Sequence, residues 1–249
     1  MAPRAPRTTL RALIWDVDGT LAETERDGHR EAFNDAFASM GLPWRWGVER
    51  YGELLTTSGG LERLLRDLAE RDDAPQLACE RLALARELHR RKNAAYLRRI
   101  GGGAIALRPG VRRLMHEARE AGTRLAIATT TGRANVDALL SPHLGAAWRD
   151  GFAAIVCAED APLKKPHPQV YELALRGLDL PAHDALAIED SPQGVASARA
   201  AGVAVLLTRS KYFEACVCPG AIAECDGLDS VRWSWLCQLH RRGRTRPPG

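Results

Sequence analysis

Five short runs of consecutive apolar residues, separated by amphipathic stretches, constrain this chain more than any other feature. The runs lie at 13–15, 125–128, 152–157, 185–188 and 203–207, each bounded by Gly, Asp or Thr. Apolar residues at successive positions mark strands buried on both faces, as in a parallel sheet. Helical periodicity occupies roughly 110–121, 133–140, 167–177 and 192–201. This alternation predicts an α/β fold built on a doubly wound parallel sheet.

One interval breaks the pattern. Between 22 and 107 no strand is legible, while 25–40, 60–71 and 75–99 carry apolar residues three and four apart. A connection of roughly 85 residues far exceeds a loop. It reads as a helical cap subdomain inserted after the first strand, and the run Gly101-Gly102-Gly103 as a hinge at its return. The expected division is a core of 1–21 and 108–230, a cap of 22–107 and a C-terminal tail of 231–249.

Composition narrows the function classes. The 249 residues are 45% hydrophobic and 27% charged, ordinary for a globular protein. No run approaches the roughly 18 apolar residues of a membrane helix. Much of the net charge of +4 sits at 240–246, without the aromatic interleaving or motif that nucleic-acid binding would bring. A solvated tail is expected there, and a frayed end at the basic N-terminus. Cys216, Cys218 and Cys225 lack zinc-site spacing and a nearby histidine. They read as reduced thiols of a cytoplasmic protein.

Ligands of open α/β sheets bind beyond the carboxyl ends of the strands, and four strand ends carry suitable chemistry. At Asp16-Val17-Asp18-Gly19-Thr20 two carboxylates straddle a turn. One can attack phosphorus while the other handles a proton. At Thr129-Thr130 a hydroxyl and free N–H groups can hold a phosphoryl oxygen, although Thr also commonly ends strands and caps helices. In Lys164-Lys165-Pro166 the second lysine is the candidate for charge neutralisation, with Lys164 turned to solvent. Glu189 and Asp190 offer hard oxygen ligands suited to Mg²⁺. Together the four make a phosphoryl-transfer site.

These segments, in this order, resemble the haloacid dehalogenase superfamily, and the helical insert resembles its members with an α-helical cap. The resemblance covers roughly 12–230. It implies that Asp16 is nucleophile and metal ligand, and that Asp18 is general acid/base and binds the metal through its backbone carbonyl. It further implies that Thr129 and Lys165 bind the phosphoryl group and that Asp190, assisted by Glu189, completes an Mg²⁺ site.

The pieces ETERDGHREAFNDAF, GLPWRW, YGELLTTSGG and LHRRKNAAY resemble the CbbY-type xylulose-1,5-bisphosphate phosphatases. These remove a misfire product that inhibits the carbon-fixing enzyme of the Calvin cycle. On that resemblance Glu25, Tyr51 and Lys92 touch substrate, with His29, Arg30, Gly59, Gly60 and Thr130 as further candidates. The chain departs from the group at Leu61, where a lysine is usual, so Lys92, Arg63 or Arg30 must supply any missing charge. Trp44 and Trp46 read as anchors of the cap's own core. The resemblance implies a monomeric phosphatase acting on a small sugar phosphate. The alternatives are a β-phosphoglucomutase-like phosphomutase and a binding protein without turnover.

Overall fold

The computed structural model describes residues 10–244. Six parallel strands form one sheet in the order β3-β2-β1-β4-β5-β6. They are β1 (Ala12–Trp15), β2 (Arg124–Ala128), β3 (Ala154–Val156), β4 (Ala185–Glu189), β5 (Ala204–Thr208) and β6 (Ala223–Cys225). The strand order reverses at β1, which opens a crevice at its carboxyl end. Trp15 is in register with both Ile127 and Ile188. The residues one or two positions further on, Asp16, Thr129 and Glu189-Asp190, therefore gather at one end of the sheet.

The strands are apolar on consecutive positions because both faces are covered. Leu13 and Trp15 face one core cluster, whereas Ala12 and Ile14 face the other. The first is covered by α5 (Val111–Glu120), α6 (Arg133–Leu144) and α9 (Trp233–Arg244), the second by α7 (Gln169–Leu178) and α8 (Pro192–Ala200). Each fully buried Leu or Ile contributes about 1.5–3 kcal/mol, so these two clusters fix the frame on which the loops stand.

The cap comprises α1 (Arg30–Ser39), α2 (Val48–Leu54), α3 (Gly60–Ala69) and α4 (Ala78–Ile100), entered through a π turn at Glu25–His29. It has its own core, in which Trp44 and Trp46 pack with Phe33 and Phe37. The indole N–H groups donate to Asp73 and Asp67 at 2.7 and 2.8 Å, so neither ring buries an unpaired donor. The two connections between cap and core run side by side. Ala22 bridges Leu107, and Arg108 N donates to Leu21 O at 2.8 Å. Gly102 and Gly103 precede this junction with φ of +71° and +83°, a conformation that excludes most other residues.

Three elements depart from the sequence expectations. Helix α2 and strand β6 were not legible, and the tail expected from 231 is largely a packed helix. Leu236 of α9 is fully buried and His240 is 1% exposed. Apolar or buriable residues at 233, 236, 237 and 240 give α9 an inward stripe, while Arg241 and Arg242, which mask it in the sequence, are exposed. Residues 1–9 and 245–249, including the expected frayed start, lie outside the described residues. No helix among those described is long and apolar enough to cross a membrane.

Candidate active site

The carboxyl ends of β1, β2 and β4 and the loop before α7 converge on Asp16. Its Oδ1 accepts from Lys165 Nζ at 2.6 Å, and the same ammonium donates to Glu189 Oε1 at 2.6 Å. Burial drives the Asp16 carboxyl up to about 7. Lys165 opposes the rise, by its charge and its hydrogen bond, and the neighbouring charge of Glu189 adds to it. Burial would lower Lys165, but the two carboxylates outweigh it and hold the lysine firmly protonated. The Lys165–Pro166 peptide is cis.

Behind Lys165 lies a group that sequence reading missed. The Tyr171 hydroxyl, on α7, donates to Glu189 Oε1, and its ring lies 5.4 Å below the lysine ammonium. Tyr171 thus touches both the lysine and its acceptor. In the sequence it looks like one more apolar contact of an amphipathic helix.

Asp18 points the other way, into the cap. Its Oδ1 accepts from Thr24 Oγ1 at 2.5 Å and from His29 Nε2 at 2.9 Å. Because a carboxylate only accepts, the His29 proton sits on Nε2, which leaves Nδ1 to accept from Lys92 Nζ at 2.8 Å. His29 is 3% exposed and stacks on Tyr96 with ring centres 4.0 Å apart. Burial alone would raise Asp18. Its contact and hydrogen bond with His29, the bond from Thr24 and the charge of Lys92 overcome this and hold it well below the usual carboxylate range. Burial lowers Lys92 to about 8, against the raising influence of Asp18 and Glu25, and Arg63 lowers it further.

The carboxylates of Asp16, Glu189 and Asp190 each bring an oxygen within 4.8 Å of the others, and all three residues are buried. Burial first, then Asp16 and Glu189, push Asp190 well above its ordinary range. One ammonium, Lys165, answers this set. Glu189 Oε1 is taken by Lys165 and Tyr171, whereas its buried Oε2 has no hydrogen-bond partner among the described residues. Hard oxygen donors, surplus negative charge and an orphaned oxygen fit a hard divalent cation. Asp18 lies outside this carboxylate cluster, so a metal role would fall to its backbone carbonyl. The space is held open by two glycines. A Cβ on Gly19 would stand 1.9 Å from Asp190 Oδ2, and one on Gly194 1.9 Å from Glu189 Oε2.

Two connected spaces adjoin these groups. A small one of about 50 Å³ is lined by Asp16, Thr129, Lys165 and Asp190. A larger one of about 300 Å³ lies between cap and core, and Asp18, Glu25, Arg63 and Thr130 line both. Gly59, Gly60 and Lys92 border the larger space. Tyr51 sits one layer back, donating to Glu25 Oε2 at 2.5 Å, while Arg63 Nη1 donates to the Tyr51 oxygen at 2.9 Å. Arg30 lines neither space. Its guanidinium donates to the carbonyls of Arg26 and Trp46, both at 3.2 Å, and pairs with Glu31 at 2.6 Å. Helical geometry places Arg30 about 100° around the axis from His29, toward the cap core instead of the cleft.

Residues 10–202 match the haloacid dehalogenase-like hydrolase family, and the chain belongs to it. It is a phosphatase of that family. It is 48% identical to protein CbbY of Cupriavidus necator over 203 residues, covering 82% of this chain and 80% of that protein. Its likeness to protein CbbY of Rhodobacter capsulatus is also 48% over 203 residues, covering 82% and 87%. Among solved structures, CbbY from Rhodobacter sphaeroides in complex with phosphate superposes with a TM-score of 0.82 at 41% identity, over 89% of this chain and 96% of that one. A mutant of that protein in complex with xylulose-1,5-bisphosphate gives 0.82 at 40% identity, with the same coverage.

Proposed function

We infer that this chain is an Mg²⁺-dependent phosphatase of small sugar phosphates, with xylulose-1,5-bisphosphate as its substrate. The observation that carries the reading is the likeness, through cap and core alike, to a CbbY that holds this bisphosphate. The phosphomutase alternative has a likeness of fold alone behind it, to a β-phosphoglucomutase of Clostridium difficile at 17% identity and TM-score 0.74. The free cysteines among the described residues accord with a reducing, cytoplasmic setting.

In the proposed reaction the Asp16 carboxylate attacks phosphorus while Lys165 holds its orientation and offsets phosphoryl charge. Asp18, a carboxylate in the free protein, first takes a proton from the medium as substrate binds, passes it to the leaving sugar oxygen, and then takes one from the water that frees phosphate from Asp16. Asp16, Asp190 and Glu189 would hold the metal, with the Asp18 carbonyl as a fourth donor. Bound there, the cation would neutralise charge shared by nucleophile and phosphoryl oxygens. Thr129 offers the phosphoryl group its hydroxyl and Thr130 its hydroxyl and N–H, since the Thr129 N–H is taken by Val156 O at 3.0 Å.

The test is a kinetic screen of sugar mono- and bisphosphates with Mg²⁺ and with chelator, alongside Asp16→Asn. A strong preference for xylulose-1,5-bisphosphate, lost with chelator and absent in the variant, is the expected result. Equal rates on glucose phosphates would overturn the substrate, and retained turnover in Asp16→Asn would overturn the mechanism.

A further inference from the structure

Resting on this reading of a bisphosphate substrate, we propose that Lys164 is a specificity-determining residue, and that its ammonium holds the substrate's second phosphate from the core side of the cleft.

The argument is one of charge accounting around the 300 Å³ space. Two of its lining cations are already committed. Lys92 donates to His29, and Arg63 spans Glu25 and the Tyr51 oxygen. Lys164 differs from both. Its Nζ donates to the carbonyls of Ala158 and Ala161 at 2.9 and 3.1 Å, and it forms no ion pair among the described residues. Two neutral acceptors hold the ammonium in place without cancelling its charge, and a third N–H remains. The solvent-facing position expected from sequence is therefore not what the fold provides. Lys164 is half-buried and borders the same space as Gly60, Leu61 and Thr131.

The position suits a distal anion. Lys165, its neighbour in sequence, contacts the Asp16 nucleophile at 2.6 Å, whereas Lys164 turns to the larger space that Asp16 does not line. One loop thus offers one cation to each end of a substrate. Across the space stands His89, which burial first, and then the charges of Lys92 and Lys164, lower to about 4. His89 is therefore neutral and leaves the anion to Lys164. Its Nε2 would lie 3.0 Å from a Cβ on Gly60, beside Leu61. Leu61 offers no charge at that wall, so a cation for the distal group must come from elsewhere, and Lys164 is available.

Of the carboxylates on this space, Asp18 and Glu25 are paired, and Glu159 accepts from Arg133 N through both oxygens at 3.1 Å. Glu62, in the first turn of α3, has no ion pair among the described residues and opposes an anion from the cap side.

The experiment compares wild type, Lys164→Met and Lys164→Arg on xylulose-1,5-bisphosphate and on p-nitrophenyl phosphate. It also measures inhibition of p-nitrophenyl phosphate turnover by fructose 1,6-bisphosphate against fructose 6-phosphate. Lys164→Met should raise KM for the bisphosphate at least tenfold with kcat within about threefold. The bisphosphate-to-monoester ratio of kcat/KM should fall by a similar factor, and Lys164→Arg should restore most of it. Equal losses on both substrates would mark Lys164 as a brace for its loop and overturn the proposal, as would an unchanged KM. If wild type fails to turn over xylulose-1,5-bisphosphate, the substrate reading fails by itself. The inhibition arm then decides on Lys164. A tenfold weakening of the bisphosphate alone in Lys164→Met supports it, and equal or absent discrimination overturns it.

Discussion

His29 Nε2 donates to Asp18 Oδ1 across 2.9 Å, so a cap residue holds one of the two carboxylates at the end of the first strand. In the proposed mechanism the bond fixes where Asp18 can deliver or take a proton, and it joins a cap residue to a core one. Replacing a partner that orients a reacting group typically costs about 10- to 100-fold. His29→Ala should lower kcat on that scale, and His29→Gln, which can still donate, should recover part of the loss. Steady-state kinetics on a monoester substrate decide the matter, and a wild-type kcat in His29→Ala would remove His29 from the mechanism.

Lys92 should give the pH profile of the site a basic limb. Burial is the main reason its ammonium is lowered to about 8 from an ordinary 10.5. Below pH 8 the lysine is protonated in folded and unfolded chains alike, and its full burial cost is present. As pH rises from 8 toward 10.5 the folded chain has shed the proton and the unfolded chain has not, so that cost is relieved. Activity moves the opposite way, because above pH 8 the donor to His29 Nδ1 loses its charge. The pH profile of kcat/KM should fall with a basic limb near 8, and Lys92→Arg should move that limb upward. A limb that stays in place would assign it to another group.

How much of this was legible depended on whether the signal was local. The strand ends at Asp16, Thr129 and Glu189-Asp190 each declare themselves within five residues, and a sheet that alternates with helices brings them together. Strand β6 has three residues, one of them Glu224 and none fully buried, so it presents no apolar run. Helix α2 spans seven residues and buries two of them, Tyr51 and Leu54, too few for a helical period to show. The partners of the site residues were hidden for another reason. Tyr171 meets Glu189 across 18 positions and His29 meets Lys92 across 63. Such contacts depend on which face of a helix points inward. Arg30 failed as a candidate on that ground, since it and His29 are adjacent in sequence and point to different places.

Tyr171 should act on turnover through Lys165. Its hydroxyl bonds the same Glu189 oxygen that Lys165 uses, and its ring lies under the ammonium. Tyr171→Phe keeps the ring and removes the one hydrogen bond, so the core packing around α7 is preserved. We expect kcat to fall about tenfold, the low end of what an orienting partner contributes, with KM changed far less and thermal stability close to wild type. Unchanged kcat would show that Lys165 is held by Asp16 and Glu189 alone.

Metal binding should be readable in stability without any turnover. In the metal-free protein Asp190 sits with Asp16 and Glu189 and is raised well above 3.8, burial being the largest cause and those two charges the next. A carboxyl raised on folding contributes stability at low pH that is lost as pH climbs from 3.8 through its folded value. Metal-free wild type should therefore lose stability over that range, and Asp190→Asn, which has no proton to lose there, should lose less. Adding Mg²⁺ at 100 times its dissociation constant should stabilise wild type by about 2.7 kcal/mol, because the cation binds a carboxylate set that exists only in the folded chain. Asp190→Asn removes one of those three carboxylates, so its Mg²⁺ shift should shrink to a small fraction of wild type's. Thermal melts with Mg²⁺ and with chelator at pH 5 and pH 8 measure both effects. An equal Mg²⁺ shift in variant and wild type would place the cation somewhere other than this cluster.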